Sequence, residues 1–285
     1  MNASTSVTRT VLLAKVCCLT LWWAIACATI PGAAAPFQLI SVRDPSQPAP
    51  ATANGDSYAS VLSPDGRYVL FASTANNLLL NTNGHPIPVP IPPRLNVYLR
   101  DRANGALTLV SVNLSGTAGG NGDSIPTALS TNARYALFES SASDLVVGDT
   151  NNATDIFLRD LVSGTTLLVS ANTNGAPGNG LCRGSVMTPD GRYVAFVSEA
   201  NNLVPVDTNR IADVFLRDLQ SGTTTMISAG AKATNSLALS VSSESPDITP
   251  DGRYVAFYST ATKLVPGVVT AGEIYVRDVL GGTTI

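Results

Sequence analysis

A single histidine (His85), four cysteines and only 13% charged residues leave this 285-residue sequence short of the commonest catalytic and metal-binding side chains. Ser/His/Asp catalysis would have to run through His85, and a zinc site needs more His or Cys than the chain supplies. No G-x-S-x-G elbow, P-loop or Cys/His cluster occurs. Lys and Arg number 17 against 20 Asp and Glu. The net charge is therefore −3, and the absence of a basic stripe to neutralise phosphates argues against a nucleic-acid partner. A sustained helical period is missing outside the first 35 residues. What remains is 45% hydrophobic, with 23 Gly and 18 Pro, the composition of a globular strand-and-turn protein and not of a disordered one.

The amino-terminal segment stands apart. Arg9 and Lys15 precede an apolar run from Val16 to Ile30, and small residues follow through Ala35. These are the parts of a secretory signal peptide, read as residues 1–34, with 35–285 as the mature domain. The apolar run is too short for a membrane helix, which needs roughly 20 residues. Cleavage after Ala34 places Gly32 and Ala34 at the small-residue positions, and Ala26 with Ala28 offers a second site. The expected location is the periplasm, the extracellular space or the cell surface. Trp23 to Cys27 also resembles a lipobox, with Ala24 where Leu is preferred. Membrane contact is expected only if Cys27 is lipidated. Cys17, Cys18 and Cys27 leave with the leader, so Cys182 is the one mature cysteine and reads as a buried small residue.

Internal repetition is the strongest signal. SPDGRYVLFAS (Ser63 to Ser73) returns as STNARYALFES from Ser130, TPDGRYVAFVS from Thr188 and TPDGRYVAFYS from Thr249. VYLRD, IFLRD, VFLRD and IYVRD follow, ending at Asp101, Asp160, Asp218 and Asp278. Those aspartates are 59, 58 and 60 residues apart. Each repeat reads as four short strands. In the third, a strand at 185–187 enters a Pro-Asp-Gly turn, and the second strand, 193–198, is almost continuously apolar, as for a strand covered on both faces. A third strand at 214–217 turns through Gln220-Ser221-Gly222 into a fourth at 224–228. The predicted fold is all-β: four four-stranded antiparallel blades near 57–112, 124–171, 183–229 and 245–285.

The xPDGRYVAF and DVFxRDxxxGTT signatures resemble the TolB-like, WD40-like β-propeller repeats of bacterial exported proteins, over nearly everything after residue 36. The resemblance implies a non-catalytic binding or scaffolding propeller. Its partner would be an envelope protein or a short peptide at the long-loop face or central channel. Similar propellers also gate prolyl-oligopeptidase-like enzymes, so the propeller portion of an exported peptidase-like hydrolase is the alternative. Residues 37–43 (FQLISVR) look like a fourth strand without a preceding repeat. Two readings stand: this strand completes the last blade and closes a four-bladed ring, or the four repeats form part of a larger propeller.

Residues present in every repeat read as structural: Arg100, Arg159, Arg217 and Arg277 with the Asp after each, and Tyr68, Tyr135, Tyr193 and Tyr254. The first-to-second and third-to-fourth turns are short and share one face; the long connections share the other, where function is expected. On that face, Asp149, Asn151 and Asp155 in one loop and Asp207, Asn209 and Asp213 in the next carry oxygen side chains that can wrap calcium. The ordinary reading is that they cap turns. Calcium is the only cofactor the sequence suggests. Blade one has Asn81-Thr-Asn83-Gly84 at this place and blade four Gly267-Val-Val-Thr270. The loop from His85 to Pro93 is stiffened by proline and reads as a cover or a docking segment. No catalytic residues are assigned; Glu139, Glu199, Glu244 and Glu273 are the carboxylates that acid–base chemistry would have to use.

Overall fold

The computed structural model describes residues 39–42, 52–80, 83–86, 92–233, 240–268 and 272–285. The signal peptide, Cys27 and most of the proline loop lie outside the described residues. The blades all belong to one compact unit, Ile40–Ile285. Blade one holds β1 (Ser57–Leu62), β2 (Tyr68–Ser73), β3 (Asn96–Asp101) and β4 (Leu107–Leu109). Blade two holds β5 (Ser124–Leu129), β6 (Tyr135–Ser140), β7 (Asp155–Asp160) and β8 (Thr165–Leu168). Blade three holds β9 (Cys182–Met187), β10 (Tyr193–Ser198), β11 (Asp213–Asp218) and β12 (Thr223–Met226). Blade four holds β13 (Ser243–Ile248), β14 (Tyr254–Ser259), β15 (Glu273–Asp278) and β16 (Thr283–Thr284). Each sheet is an antiparallel meander in chain order, and no helix occurs among the described residues.

The apolar second strands explain how the blades stack. Side chains alternate across a strand, so Val194 and Phe196 of β10 face blade two while Ala195 and Val197 face blade four. The first pair packs with Leu137, Ile156 and Leu158; the second packs with Val255 and Phe257. All four β10 residues are buried. The core therefore lies between blades, in layers shared by neighbours, and a strand with both faces covered has no polar positions to alternate. Within each blade an aromatic on the second strand stacks on one directly opposite on the third, as with Phe196 and Phe215 at 6.0 Å between ring centroids.

The first strands of successive blades lie beside one another, β1 by β5, β5 by β9 and β9 by β13, which makes them the inner strands. They begin earlier than the sequence pattern predicts. β9 starts at Cys182, not Ser185, because a β-bulge interrupts its pairing with β10 around Gly184, whose φ is +63°. The same interruption recurs in every blade, with Ala59 and Ser245 at positive φ in blades one and four. A bulge bends the strand and breaks the two-residue period on which sequence reading depends.

Of the segment 37–43, residues 39–42 are described. Ile40 packs against the blade-one cluster of Phe71, Ala75, Leu78 and Tyr98, and Val42 bridges Thr52. In blade four, β16 pairs with β15, and Ile285 exchanges backbone hydrogen bonds with Val276. Blade four also leaves Tyr258 and Ile274 exposed, at positions where blade three buries Val197 and Val214.

Candidate functional site

The short-turn face carries the most repeated residues, and they serve the fold. In blade three, Thr188 Oγ1 donates to Asp190 Oδ1 at 2.6 Å, and Asp190 Oδ1 accepts the Arg192 amide at 3.0 Å. The turn thus satisfies its own polar groups. It also aims Arg192 at Asp218, the last residue of β11. Asp218 in turn accepts the Gln220 amide at 2.9 Å. The Arg192 guanidinium lies 4.6 Å from the Tyr193 ring centre. The expected local role of the Arg-Asp dipeptides is thereby refined. The aspartate pairs with the arginine of the preceding turn, whereas Arg217 donates to Thr224 Oγ1 and to the Ala171 and Asn172 carbonyls. Arg159 and Arg277 likewise donate to Thr166 and Thr284.

The long-loop face holds both aspartate loops, and the structure divides the residues within them. Asn151 and Asn209 turn Oδ1 back to the amides of Ala153 and Ile211, forming Asx turns. Both were expected as calcium ligands, and each Oδ1 here accepts a backbone amide of its own loop. Asp155 and Asp213 open β7 and β11 and are fully buried, each accepting from a serine one strand away, Ser170 and Ser228. Those serines also accept the amides of Ile156 and Val214. The serine partners were not singled out in the sequence, although LVS, LVS and MIS follow the fourth-strand positions of the first three repeats.

The two loops then differ. In blade two, Asn151 Nδ2 donates to Asp155 Oδ2 at 2.6 Å and to the Gly178 carbonyl at 2.7 Å. In blade three, Asn209 Nδ2 bonds the Ala231 carbonyl at 3.4 Å. Asp213 Oδ2 and Asp207 Oδ1 are left buried without a hydrogen-bond partner. Burial pushes the Asp155 carboxyl up to about 6 and that of Asp213 up to about 7. The Asn209 amide still favours the Asp213 anion from nearby, without forming a hydrogen bond to it. Asp149 and Asp207 are also raised, again chiefly by burial.

Beside the blade-three loop lies a cavity of about 490 Å³ lined by Arg183, Glu199, Asp207, Arg210, Ser242 and Glu244. Arg183 Nη1 donates to Glu199 Oε1 at 2.9 Å, and Nη2 donates to Glu244 Oε1 of the next blade at 3.1 Å. This network was not anticipated. A comparison of repeats by position carries the signal: the second residue of each first strand is Tyr58, Ile125, Arg183 or Glu244, so adjacent blades present opposite charges only here. Of the other carboxylates considered, Glu139 accepts the amide and hydroxyl of Ser185. His85 and Pro86 are described from the proline loop, where Pro86 bridges Leu80.

Four antiparallel four-stranded sheets, stacked face to face in chain order, decide the fold. This is a β-propeller, consistent with the TolB-like repeats of its sequence. No family model and no curated protein matches the chain. Among solved structures, the propeller is similar to TolB from Acinetobacter baumannii, at 18% identity and a TM-score of 0.45, over 81% of this chain and 42% of that one. A putative TolB from Agrobacterium tumefaciens matches at 16% identity and 0.42, over 81% and 80%. The β-propeller domain of the Trilobed protease from Pyrococcus furiosus, which has an open velcro topology, matches at 12% and 0.48, over 82% and 57%. The propeller thus spans less than half the length of the first of these. The four stacked sheets establish the fold by themselves.

Proposed function

We propose that this protein is an exported, non-catalytic propeller that binds a polypeptide segment of an envelope partner at the long-loop face, in the cavity between blades three and four. The observation that carries this reading is Arg183, whose guanidinium bridges Glu199 and Glu244 at the cavity wall. Its side chain is one-third exposed, so an incoming acidic side chain or chain terminus can exchange with either glutamate. The site is specific to one blade junction, as recognition requires and as a purely structural feature of the repeat does not. Support for a binding role over catalysis comes from the carboxylates, since Glu139, Glu199 and Glu244 are all held in hydrogen bonds or ion pairs. Support for export comes from the leader-like segment Arg9 to Ala35.

A displayed random-peptide library selected on the purified protein, with Arg183→Glu as counter-selection, tests the proposal. Peptides rich in acidic residues are expected, with affinity falling at least tenfold on the variant. Enriched peptides that bind both proteins equally, or no enrichment at all, would remove the support for this site.

A further inference from the structure

Asp207 and Asp213 lie at the two ends of a seven-residue loop on the long-loop face of blade three. Asp213 is fully buried and Asp207 is 7% exposed. Each has one buried carboxylate oxygen, Oδ2 of Asp213 and Oδ1 of Asp207, without a hydrogen-bond partner among the described residues, the Asn209 amide lying near Asp213 but bonded to Ala231. The negative charges of these two groups act on each other. Asp213 accepts Ser228 through its other oxygen, but burying charged oxygens that lack partners is costly. The one cationic side chain of the loop, Arg210, pairs with neither, among the described residues. A cation held between them would offset both charges.

The other blades show that the loop can be built without this arrangement. Blade one has Asn96 where blade three has Asp213, and Asn96 Oδ1 accepts from Ser111 as a neutral group. In blade two, the Asn151 amide caps Asp155 Oδ2. Only in blade three is an aspartate retained while its asparagine cap turns away to Ala231.

We propose that the Asp207–Asp213 loop of blade three binds one calcium ion, with Asp207 and Asp213 as its anionic ligands. The donors available are oxygens, hard ligands that suit calcium and not zinc or copper. Two carboxylates fall short of a high-affinity set, and backbone carbonyls or water would complete the coordination sphere. The dissociation constant expected for so few charges is on the order of 10⁻⁴–10⁻³ M, the range of extracellular modules. Asp149 and Asp155 in blade two are not assigned a cation, because the Asn151 amide already occupies the oxygen that a metal would need.

Calorimetric titration of calcium into the chelator-treated full chain, together with melting in calcium and in chelator, tests the assignment without any peptide ligand. It is therefore independent of the function proposed above. One bound calcium and a melting point raised by a few degrees in 10 mM calcium are expected. Asp213→Asn should abolish both effects, and blade one shows that asparagine fits at this place; Asp207→Asn carries the same test should the first variant fail to fold. Asp149→Asn should keep both. Identical melting in calcium and chelator with no heat of binding overturns the proposal, leaving a proton as the offsetting species. Retention of calcium binding by Asp207→Asn or Asp213→Asn, or its loss in Asp149→Asn, overturns it equally by moving the site elsewhere.

Discussion

Arg192 grips Asp218 with a two-point fork, Nε to Oδ1 at 3.1 Å and Nη2 to Oδ2 at 2.9 Å, across the end of the β10–β11 hairpin. Twenty-six residues separate them in sequence, yet the same fork joins Arg67 to Asp101, Arg134 to Asp160 and Arg253 to Asp278. The turn before each second strand is thereby fastened to the turn after each third strand. Two hydrogen bonds in one plane fix direction as well as distance, so the pair sets hairpin register where a single charge contact would not.

This pairing makes the protein acid-sensitive. The partner arginine holds Asp101, Asp160, Asp218 and Asp278 below the usual carboxylate range, Asp218 at about 2. A carboxylate whose folded pKa is depressed contributes stability that is fully present above its unfolded value, about 3.9, and is lost as pH falls toward its folded value. Asp218→Asn should therefore be less stable than the wild type in urea at pH 6, and the gap should narrow steadily between about pH 4 and pH 2. A gap that stays constant over that range would show that the fork contributes nothing electrostatic.

Cys182 stands where the other blades have serine. Ser57, Ser124 and Ser243 bond Ser73, Ser140 and Ser259 across the first two strands, and Cys182 Sγ lies 3.2 Å from Ser198 Oγ in the same way. Cys182→Ser should change unfolding free energy by no more than about 0.5 kcal/mol, because three repeats already use that pair. The free thiol is fully buried, and burial pushes its pKa up to about 12. A thiol reagent at pH 8 should leave Cys182 of the folded protein unmodified and label it once the protein is unfolded in urea. Rapid labelling under native conditions would contradict the packing described for β9.

Two glycines of the repeated turn separate local strain from blade packing. Gly252 has φ +73°, and a Cβ there would sit 2.3 Å from Cδ2 of Tyr193 in the preceding blade. Gly66 has φ +68°, with nothing nearer than Arg102 Nη1 at 3.8 Å. Gly66→Ala should cost about 1 kcal/mol for the left-handed backbone alone. Gly252→Ala should cost roughly 2 kcal/mol or more, since Tyr193 must also move. Chemical denaturation of the two variants measures the difference, and equal losses would mean that the blade junction yields at no cost. Blade two already carries Ala133 at φ +53° in this turn, so the backbone tolerates the substitution.

The sequence by itself determined the blade: its four strands, its tight turns and the burial of its second strand. Those features arise from contacts within about 60 residues, and each is repeated four times, so a local pattern of apolar and turn residues is enough to specify them. Tertiary structure decided what happens between blades. Arg183 meets Glu244 across 61 residues, and the Asn209 amide bonds the Ala231 carbonyl 22 residues on. The D-x-N-x-x-x-D spacing is the same in both loops, yet only one leaves carboxylate oxygens bare, because a hydrogen-bond donor chooses between acceptors that the fold brings close. The bulged inner strands and the placement of Ile40 against blade one were hidden for the same reason. A bulge breaks the two-residue period, and a short apolar strand fits any exposed blade until the stacking of the sheets selects one.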